Sequence, residues 1–377
     1  MLGNRHSREG GNPGILAGSR SLFPSPEGKE GVTGTQKPGD AQVSPPGPKR
    51  LHHKETYPIM QRLEQYGHIL PGGRVAVLLL HGLTGTPKEM LSVGRRLNKY
   101  GFTVFCPVLA GHCGSEADLL ATNWRDWADS AEAAFLRLKE HADVVFAGGL
   151  SAGSVLSLYL ADRHPAHLRG LALYSTTLKW DGWSIPKLSF LLPLVLRLPY
   201  VGKRVHFVEA FPYGIKNEGL RRRIVAKMQS GDTSAAGHTH TPGVIVRELW
   251  RLVDAVKARF AAITTPALIV HADKDDIAGI RSNALYMQRR LGGPTDLLRL
   301  YDSYHMVTVD QERHLVADET ARFFRRRLTE SERAALDAAA REPIPEPESD
   351  SAPQSASGTA PESANRRQAA PALAEQV

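Results

Sequence analysis

The chain has 377 residues, 42% of them hydrophobic, which is enough for one large core or two modest ones. It carries 47 Lys and Arg against 39 Asp and Glu, a formal net charge of +8, but the basic residues are scattered and usually stand beside acids. This pattern favours solvated helix faces and argues against a nucleic-acid partner. The two cysteines, Cys106 and Cys113, imply no disulfide framework.

Residues 1–59 are rich in Gly, Pro, Ser and charge and show no sustained hydrophobic period, so we expect a disordered leader. Two interpretations stay open, a native flexible extension or a miscalled gene start with Met60 as the true first residue. The leader lacks the apolar core of a secretory signal, and the apolar stretch 188–196 is far shorter than the ~20 residues of a membrane-spanning helix. We therefore predict a cytoplasmic protein.

The segment 60–336 has the size of one domain, because the Ala-, Pro-, Glu- and Ser-rich tail 337–377 is also expected to be disordered. Short apolar runs in it alternate with amphipathic stretches at helical spacing. The runs lie at 74–80, 102–108, 143–147, 170–174, 267–270 and 296–301. This alternation predicts an α/β fold with a mainly parallel central sheet and helices on both faces. The interval 174–267 exceeds one crossover and predicts an inserted subdomain.

The sharpest motif is Gly149-Leu-Ser-Ala-Gly153, which follows a predicted strand and precedes a helical stretch. Gly-x-Ser-x-Gly at such a junction is typical of a nucleophile elbow, in which the serine projects from a tight turn and glycines let the strand and helix approach. Small residues are also needed there for packing alone. The motif by itself therefore does not decide between catalysis and structure.

A serine hydroxyl needs a base to take its proton, and the base needs an orienting carboxylate. In a fold of this kind the partners follow in the order Ser, Asp, His, each after a late strand. One late strand is followed by Asp273, Asp275 and Asp276, and the last strand runs into a turn that contains His305. We predict Ser151 as nucleophile and His305 as base. The residues alone leave the acid open among three aspartates, of which two would serve turn formation and helix capping.

A buried strand ends in the glycine-containing loop at 81–85, and the N–H of Leu83, with that of Ala152, is a candidate donor to a tetrahedral oxyanion. A phosphate-binding loop is disfavoured because Gly-Lys-Ser/Thr is absent. His81 and His112 are expected to fix loops through ring hydrogen bonds.

His238 and His240 have the spacing of a metal pair. Without cysteine or further paired ligands nearby in the sequence, a surface loop is favoured over a metal site. The sequence therefore predicts neither a metal nor an organic cofactor.

Together the motifs resemble the bacterial carboxylesterase and monoacylglycerol lipase branch of the α/β-hydrolases. The matching segments are His81-Gly-Leu-Thr-Gly85, Pro107-Val-Leu-Ala-Gly-His112, Thr122-Asn-Trp-Arg-Asp-Trp127, Gly149-Leu-Ser-Ala-Gly153, His271-Ala-Asp-Lys-Asp275 and Ser303-Tyr-His-Met-Val-Thr-Val-Asp-Gln311. The resemblance spans nearly all of residues 72–328. It implies an α/β-hydrolase fold, Asp275 as the acid, and Leu83 and Ala152 as oxyanion donors. It also implies an inserted helical cap at about 176–243. Cys113 and Tyr304 stand where the family usually has glycine, and they add bulk beside the site.

The cap is expected to set substrate choice. Its apolar surface has two explanations, packing onto the sheet domain or an acyl-chain pocket. Trp183, Phe190 and Met306 are the candidate substrate-binding residues.

The sequence thus predicts a serine-dependent carboxylic ester hydrolase that acts through an acyl-enzyme on Ser151. A small-molecule or lipid-like ester would be the substrate, with weak peripheral membrane contact through the apolar cap and the two short basic clusters at 221–223 and 325–327. Acyl transfer or amide hydrolysis on the same triad, and a catalytically silent binding module, are the alternatives. The oligomeric state is not predicted.

Overall fold

The computed structural model describes residues 63–196, 201–229, 233 and 237–341. The predicted leader 1–59, Met60 and residues 342–377 of the predicted tail lie outside this part of the chain. The strands are β1 (Gly67–Leu70), β2 (Val75–Leu80), β3 (Thr103–Pro107), β4 (Val144–Leu150), β5 (Leu168–Tyr174), β6 (His206–Val208), β7 (His240–Pro242), β8 (Ala267–Ala272) and β9 (Thr295–Leu300).

The α-helices are α1 (Leu91–Lys99), α2 (Glu116–Leu120), α3 (Trp124–Lys139), α4 (Ala152–Arg163), α5 (Leu192–Val195), α6 (Val201–Arg204), α7 (Glu218–Gln229), α8 (Gly243–Lys257), α9 (Ala284–Gln288), α10 (Arg313–Arg325) and α11 (Glu330–Arg341). Short 3₁₀ helices lie at Pro87–Met90, Lys187–Leu191 and Phe260–Ala262. Helices and strands alternate along most of the described chain, as the sequence predicts.

The main sheet has seven strands in the order β1-β3-β2-β4-β5-β8-β9. β1 is antiparallel to β3, and every other neighbouring pair is parallel. The predicted, mainly parallel central sheet is therefore confirmed. The carboxyl ends of the parallel strands meet at one edge, which is where open α/β sheets carry their ligand sites.

Helices cover both faces of this sheet, and β2 shows how the sequence builds both cores. All six β2 residues are buried, and successive side chains such as Leu78 and Leu79 enter opposite cores. Residues of α3, α4 and α8 complete the first core, and residues of α1, α10 and α11 complete the second. A strand buried on both faces needs a continuous apolar run, which explains why these strands could be located from sequence.

The predicted tail begins too early. α11 continues to Arg341, so residues 337–341 are helical and not disordered. Leu336 of this helix is fully buried in the second core, and Asp337 pairs with Arg325 of α10 at 2.6 Å. These contacts help to attach a helix that is poor in large apolar residues.

The cap, residues 176–243 in the sequence-based boundaries, is not purely helical as expected. It contains α5, α6 and α7, and also β6 and β7, which form an antiparallel pair. α8 begins at Gly243 and packs on α3 and α4 of the sheet domain. In the described residues, no helix combines the length and apolar character needed to cross a bilayer.

Candidate active site

The candidate nucleophile Ser151 lies between the last residue of β4 and the first residue of α4. Its backbone has φ 55° and ψ −112°, a conformation that residues other than glycine rarely adopt. The Ser151 N–H donates to the carbonyl oxygen of Tyr174 at the end of β5, at 2.9 Å. Strained residues held in this way are typical of functional turns. The strand–turn–helix arrangement predicted for the motif is confirmed.

The two glycines of the motif are required because backbone segments touch there. A Cβ atom at Gly149 would lie 2.3 Å from the carbonyl carbon of Gly153. A Cβ atom at Gly153 would lie 2.2 Å from the carbonyl oxygen of Leu80 at the end of β2. β2, β4 and α4 therefore meet at backbone contact, and this packing holds the turn that carries Ser151.

The candidate base and acid meet beyond the ends of β9 and β8. Nδ1 of His305 lies 3.0 Å from Oδ1 and 2.9 Å from Oδ2 of Asp275, and both residues are buried. Oδ1 of Asp275 also accepts the N–H groups of Ile277 at 2.9 Å and Ala278 at 2.7 Å. These donors fix the carboxylate and favour its charged form.

The other two aspartates of the turn have different partners. Asp276 is buried and accepts the backbone N–H of His305 at 3.2 Å and that of Gly214, in the cap, at 3.1 Å. Asp273 pairs with Arg299. Of the three aspartates that the residues alone left open, Asp275 is therefore the one whose carboxylate contacts the His305 ring.

The carboxylates around His305 favour its protonated form. Burial alone would lower the pKa of His305, but Asp275, Asp276 and Glu209 outweigh it and raise the pKa above the ordinary 6.5. Burial alone would raise the pKa of Asp275, but His305 outweighs it and holds the pKa of this carboxyl below its usual range. Burial raises the pKa of Asp276. The arrangement suits an ionised Asp275 that stabilises a transient imidazolium.

The Ser151 hydroxyl has a partner that sequence reasoning missed. Its Oγ lies 2.9 Å from Oγ1 of Thr177, and Oγ1 of Thr177 lies 3.2 Å from the carbonyl oxygen of Ser175. In the described part of the chain, Thr177 and not His305 is the hydrogen-bond partner of this hydroxyl. The nucleophile–base contact often tightens only when substrate binds. The one signal for Thr177 is its place just after β5, at the sheet edge that carries Ser151.

The loop after β2 borders the serine turn. A Cβ atom at Gly82 would lie 3.7 Å from the Cβ of Ser151, so the loop that contains Leu83 borders the candidate nucleophile at Gly82. Ala152 is the first residue of α4, and the first N–H groups of a helix have no acceptor within the helix. Ala152 therefore adjoins Ser151, and Leu83 follows the glycine that borders it.

His81 and His112 have the structural contacts expected of them. Nδ1 of His81 lies 2.9 Å from the carbonyl oxygen of Gly82, and its Nε2 accepts the Leu109 N–H at 3.2 Å. Nδ1 of His112 lies 2.9 Å from the carbonyl oxygen of Ala110. Burial lowers the pKa of His81 to about 3 and that of His112 to about 4, so both rings are neutral near pH 7.

Two acidic residues near the site were also missed. Glu89 accepts the N–H of Gly82 at 3.0 Å and that of Thr86 at 3.3 Å, which fixes the loop beside Ser151. The capping-box spacing from Thr86 to Glu89 is the sequence signal for this contact. Glu209 lies in the cap and has no comparable signal. Withdrawal from water raises the pKa of Glu89 to about 7 and that of Glu209 to about 6.

The three candidate substrate-binding residues lie in different surroundings. Trp183 is 55% exposed, and its ring meets the Tyr304 ring edge-on at 5.5 Å. Met306 follows the candidate base, and its N–H donates to the carbonyl oxygen of Gly214 at 2.8 Å. Phe190 is 65% exposed on the cap. The structure thus brings Trp183 and Met306 to the loop that carries the base and leaves Phe190 exposed.

The two departures from the family pattern are both accommodated. Cys113 has φ 64°, a left-handed conformation that favours glycine, which accounts for the glycine usual at this position. The Tyr304 ring contacts the Trp183 ring edge-on. Neither residue contacts the Asp275–His305 pair through a hydrogen bond in the described part of the chain.

Comparison with known proteins identifies the family. The profile of the Hydrolase_4 family, described as serine aminopeptidase S33, matches residues 73–312. A thermostable monoacylglycerol lipase of Bacillus sp. (strain H-257) is 28% identical over 270 residues, covering 72% of this chain and 97% of that protein. A carboxylesterase of Bacillus subtilis (strain 168) is 24% identical over 253 residues, covering 67% of this chain and 93% of that protein.

Solved structures share the fold. A monoacylglycerol lipase of Paleococcus ferrophilus has a TM-score of 0.56 at 17% identity and covers 72% of this chain and 98% of its own. A structure from the metagenome-derived lipolytic enzymes LipS and LipT has a TM-score of 0.58 at 24% identity and covers 69% of this chain and 96% of its own. The predicted α/β-hydrolase fold is confirmed. Because the family profile spans more than half of the chain, and the serine turn and fold agree with it, the chain belongs to the Hydrolase_4 family and is a serine hydrolase.

Proposed function

We propose that this protein hydrolyses carboxylic esters through an acyl-enzyme on Ser151, with His305 as base and Asp275 as the orienting acid. The observation that carries the proposal is the buried Asp275–His305 contact at the same sheet edge as the strained serine turn. The names of the two curated relatives, a monoacylglycerol lipase and a carboxylesterase, favour an ester as substrate.

Acylation would begin with a rotation of the serine. The Ser151 hydroxyl is hydrogen-bonded to Thr177, so its side chain has to turn toward Nε2 of His305 when substrate binds. Nε2 takes the hydroxyl proton while Oγ attacks the ester carbonyl carbon. The carbonyl oxygen becomes an oxyanion, which the N–H groups of Leu83 and Ala152 would stabilise. The imidazolium then gives its proton to the departing alcohol oxygen, and the C–O bond breaks.

Deacylation would repeat these steps with water. His305 takes a proton from water, the hydroxide attacks the acyl carbon, and the proton returns to Oγ of Ser151 as the carboxylic acid leaves. Asp275 stabilises the imidazolium in both halves of the reaction. Its lowered pKa supports this role, because the carboxylate stays ionised at the pH of catalysis.

The substrate we propose is a small or lipid-like ester that reaches the site beneath the cap. Trp183 and Met306, which lie beside the loop of the candidate base, would contact it, and Phe190 would do so only if the cap closes over the substrate. Exposed apolar residues on the cap support transient contact with a lipid surface. A cytoplasmic location stays a prediction from sequence.

The direct test is hydrolysis of p-nitrophenyl esters of increasing acyl length by the unmodified protein and by Ser151→Ala. We expect the substitution to lower kcat by at least about 10³-fold, because no other group supplies the nucleophile. Ser331→Ala, which changes an exposed serine in α11, is the matched control and should keep full activity. Full ester hydrolysis by Ser151→Ala would refute the proposal.

Amide hydrolysis is the alternative that the family description as a serine aminopeptidase favours. Esters and p-nitroanilides of the same acyl group separate the two, because an amide enzyme retains turnover with the anilide. Added alcohol or amine acceptors would reveal acyl transfer as a second product. A catalytically silent binding module would turn over none of these substrates.

A further inference from the structure

We infer that Glu116, His206 and His240 form a binding site for a divalent transition-metal ion such as Zn²⁺, which joins the cap to the sheet domain. Nε2 of His206 lies 3.1 Å from Oε1 of Glu116, and Nε2 of His240 lies 2.8 Å from Oε2. The ligand atoms of all three residues lie within 4.8 Å of one another. Two imidazole nitrogens and one carboxylate are a ligand set that zinc takes in proteins.

The spacing of these atoms approaches what an ion requires. With metal–ligand bonds of about 2.0–2.1 Å at tetrahedral angles, neighbouring ligand atoms lie about 3.3 Å apart. The two nitrogen–oxygen separations are within about 0.5 Å of that value, but they join the nitrogens to different oxygens of Glu116. An ion would therefore bind after side-chain rotations that bring one of these oxygens and both nitrogens around it. Three protein ligands leave the fourth position for water.

The strand pairing in the cap places both histidines on one face. His206 in β6 lies opposite Pro242, and His240 in β7 lies opposite Val208, so the two histidines are diagonal neighbours. Their ring centroids are 5.1 Å apart. Glu116 reaches them from the first residue of α2, outside the cap. The three ligands therefore converge from two parts of the fold.

Sequence spacing pointed to a different pair. His238 and His240 were expected in a surface loop, but His240 lies in β7 and His238 is only 6% exposed. The partner of His240 is His206, which is distant in sequence. The side chains of the cluster are 32–37% exposed, so an ion can reach them from solvent. Without an ion, His–Glu pairs at this level of exposure stabilise a protein little.

The position of the cluster gives the ion a structural role. β6 leads directly into Glu209, whose N–H donates to the carbonyl oxygen of Thr239 at 3.0 Å and whose charge acts on His305. Thr233 of the cap also donates to the carbonyl oxygen of Gly114, just before α2, at 3.0 Å. A bound ion would restrict movement of this part of the cap without taking part in the reaction.

The test uses the full chain without an affinity tag, stripped of metal and titrated calorimetrically with Zn²⁺. We expect one ion per chain and a rise in Tm of about 3–5 °C with saturating Zn²⁺, because the ion binds only the folded state. His206→Ala and His240→Ala should each weaken binding by about 100-fold and abolish the rise in Tm.

The control is His167→Ala, which removes an exposed histidine elsewhere and should bind Zn²⁺ like the unmodified protein. The metal-free Tm and circular dichroism of each variant separate lost ligands from lost folding. Zn²⁺ binding that is absent from the unmodified protein, or unchanged when both histidines are replaced, would overturn the inference. Because binding and Tm are measured without substrate, either result is independent of the proposed esterase activity.

Discussion

Asp275 and Asp276 are adjacent in sequence, but their carboxylates act on different parts of His305. Asp275 contacts the ring nitrogen Nδ1, whereas Asp276 accepts the backbone N–H and ties it to Gly214 of the cap. Only a group on the ring sets its tautomer and stabilises its charged form. Asp276 is therefore a positioning residue that holds the backbone of His305.

Asp275→Asn and Asp276→Asn test this division. We expect Asp275→Asn to lower kcat for ester hydrolysis by about 10³–10⁴-fold, because the amide favours the wrong tautomer. Asp276→Asn keeps one oxygen for the backbone donors and should lower kcat by less than about 10-fold. Thermal unfolding of both variants shows that each is folded. A larger loss of kcat in Asp276→Asn than in Asp275→Asn would assign the role of acid to Asp276.

The charge of Glu209 should appear in the pH dependence of activity. The base works only when neutral, and the pKa of His305 is raised above 6.5, so activity should rise with pH along a limb above that value. Glu209 contributes to the raised pKa, so Glu209→Gln should lower it and move this limb to lower pH by about 0.5 unit. The measurement is kcat/KM against pH, with the exposed Glu140→Gln as control. A limb that stays in place or moves to higher pH would contradict the assigned influence of Glu209.

At this scale the sequence predicts residues that stand in motifs and misses residues that meet only through folding. The sequence predicts Ser151 and His305 because each follows a strand in a recognisable order, whereas Asp275 is selected only by resemblance to the family. Thr177 and Glu209 lie far along the chain from the groups on which they act, so no spacing reveals them. The contacts that such carboxylates and hydroxyls make can be seen only in the folded structure.

α11 shows how a weakly apolar element is attached. The helix is dominated by Ala, Glu and Arg, but Leu336 is fully buried, and a Cβ atom at Gly101 would lie 2.2 Å from the Leu336 carbonyl oxygen. Gly101 has φ 92°, so both its conformation and its lack of a side chain permit the contact.

Leu336→Ala should lower the free energy of unfolding by about 2–4 kcal/mol, because it removes a buried side chain and leaves a cavity. Leu315→Ala, at a leucine of α10 that is 43% exposed, is the control and should change stability by less than about 0.5 kcal/mol. Urea unfolding followed by circular dichroism measures both. Equal, small effects would mean that α11 contributes nothing to the stability of the domain.

The strands were predicted unequally for a physical reason. β2 and β8 are continuous apolar runs because both of their faces are covered, and such runs stand out in sequence. β1 has four residues, of which only Ile69 is buried, and it lies at the antiparallel edge. An edge strand that buries one side chain leaves almost no hydrophobic pattern in the sequence. The short β6–β7 pair in the cap escaped prediction for the same reason.

For the whole molecule, the sheet domain carries the candidate triad and the cap carries exposed apolar surface. Large apolar side chains that are 42–72% exposed are frequent in the cap, namely Trp183, Leu188, Phe190, Leu191, Leu194, Val208 and Phe211. Exposed apolar groups at this density are typical of surfaces that meet lipids or apolar ligands. This distribution agrees with a substrate that is at least partly apolar, while the fold alone selects no acyl length.

Covalent labelling by a fluorophosphonate tests whether Ser151 is an activated nucleophile. The folded protein would be incubated with the probe, weighed intact and digested to locate the adduct. We expect one adduct per chain on Ser151, formed much more slowly in His305→Ala and absent from Ser151→Ala. A folded protein that forms no adduct, or that carries it on another residue, would show that Ser151 is not an activated nucleophile.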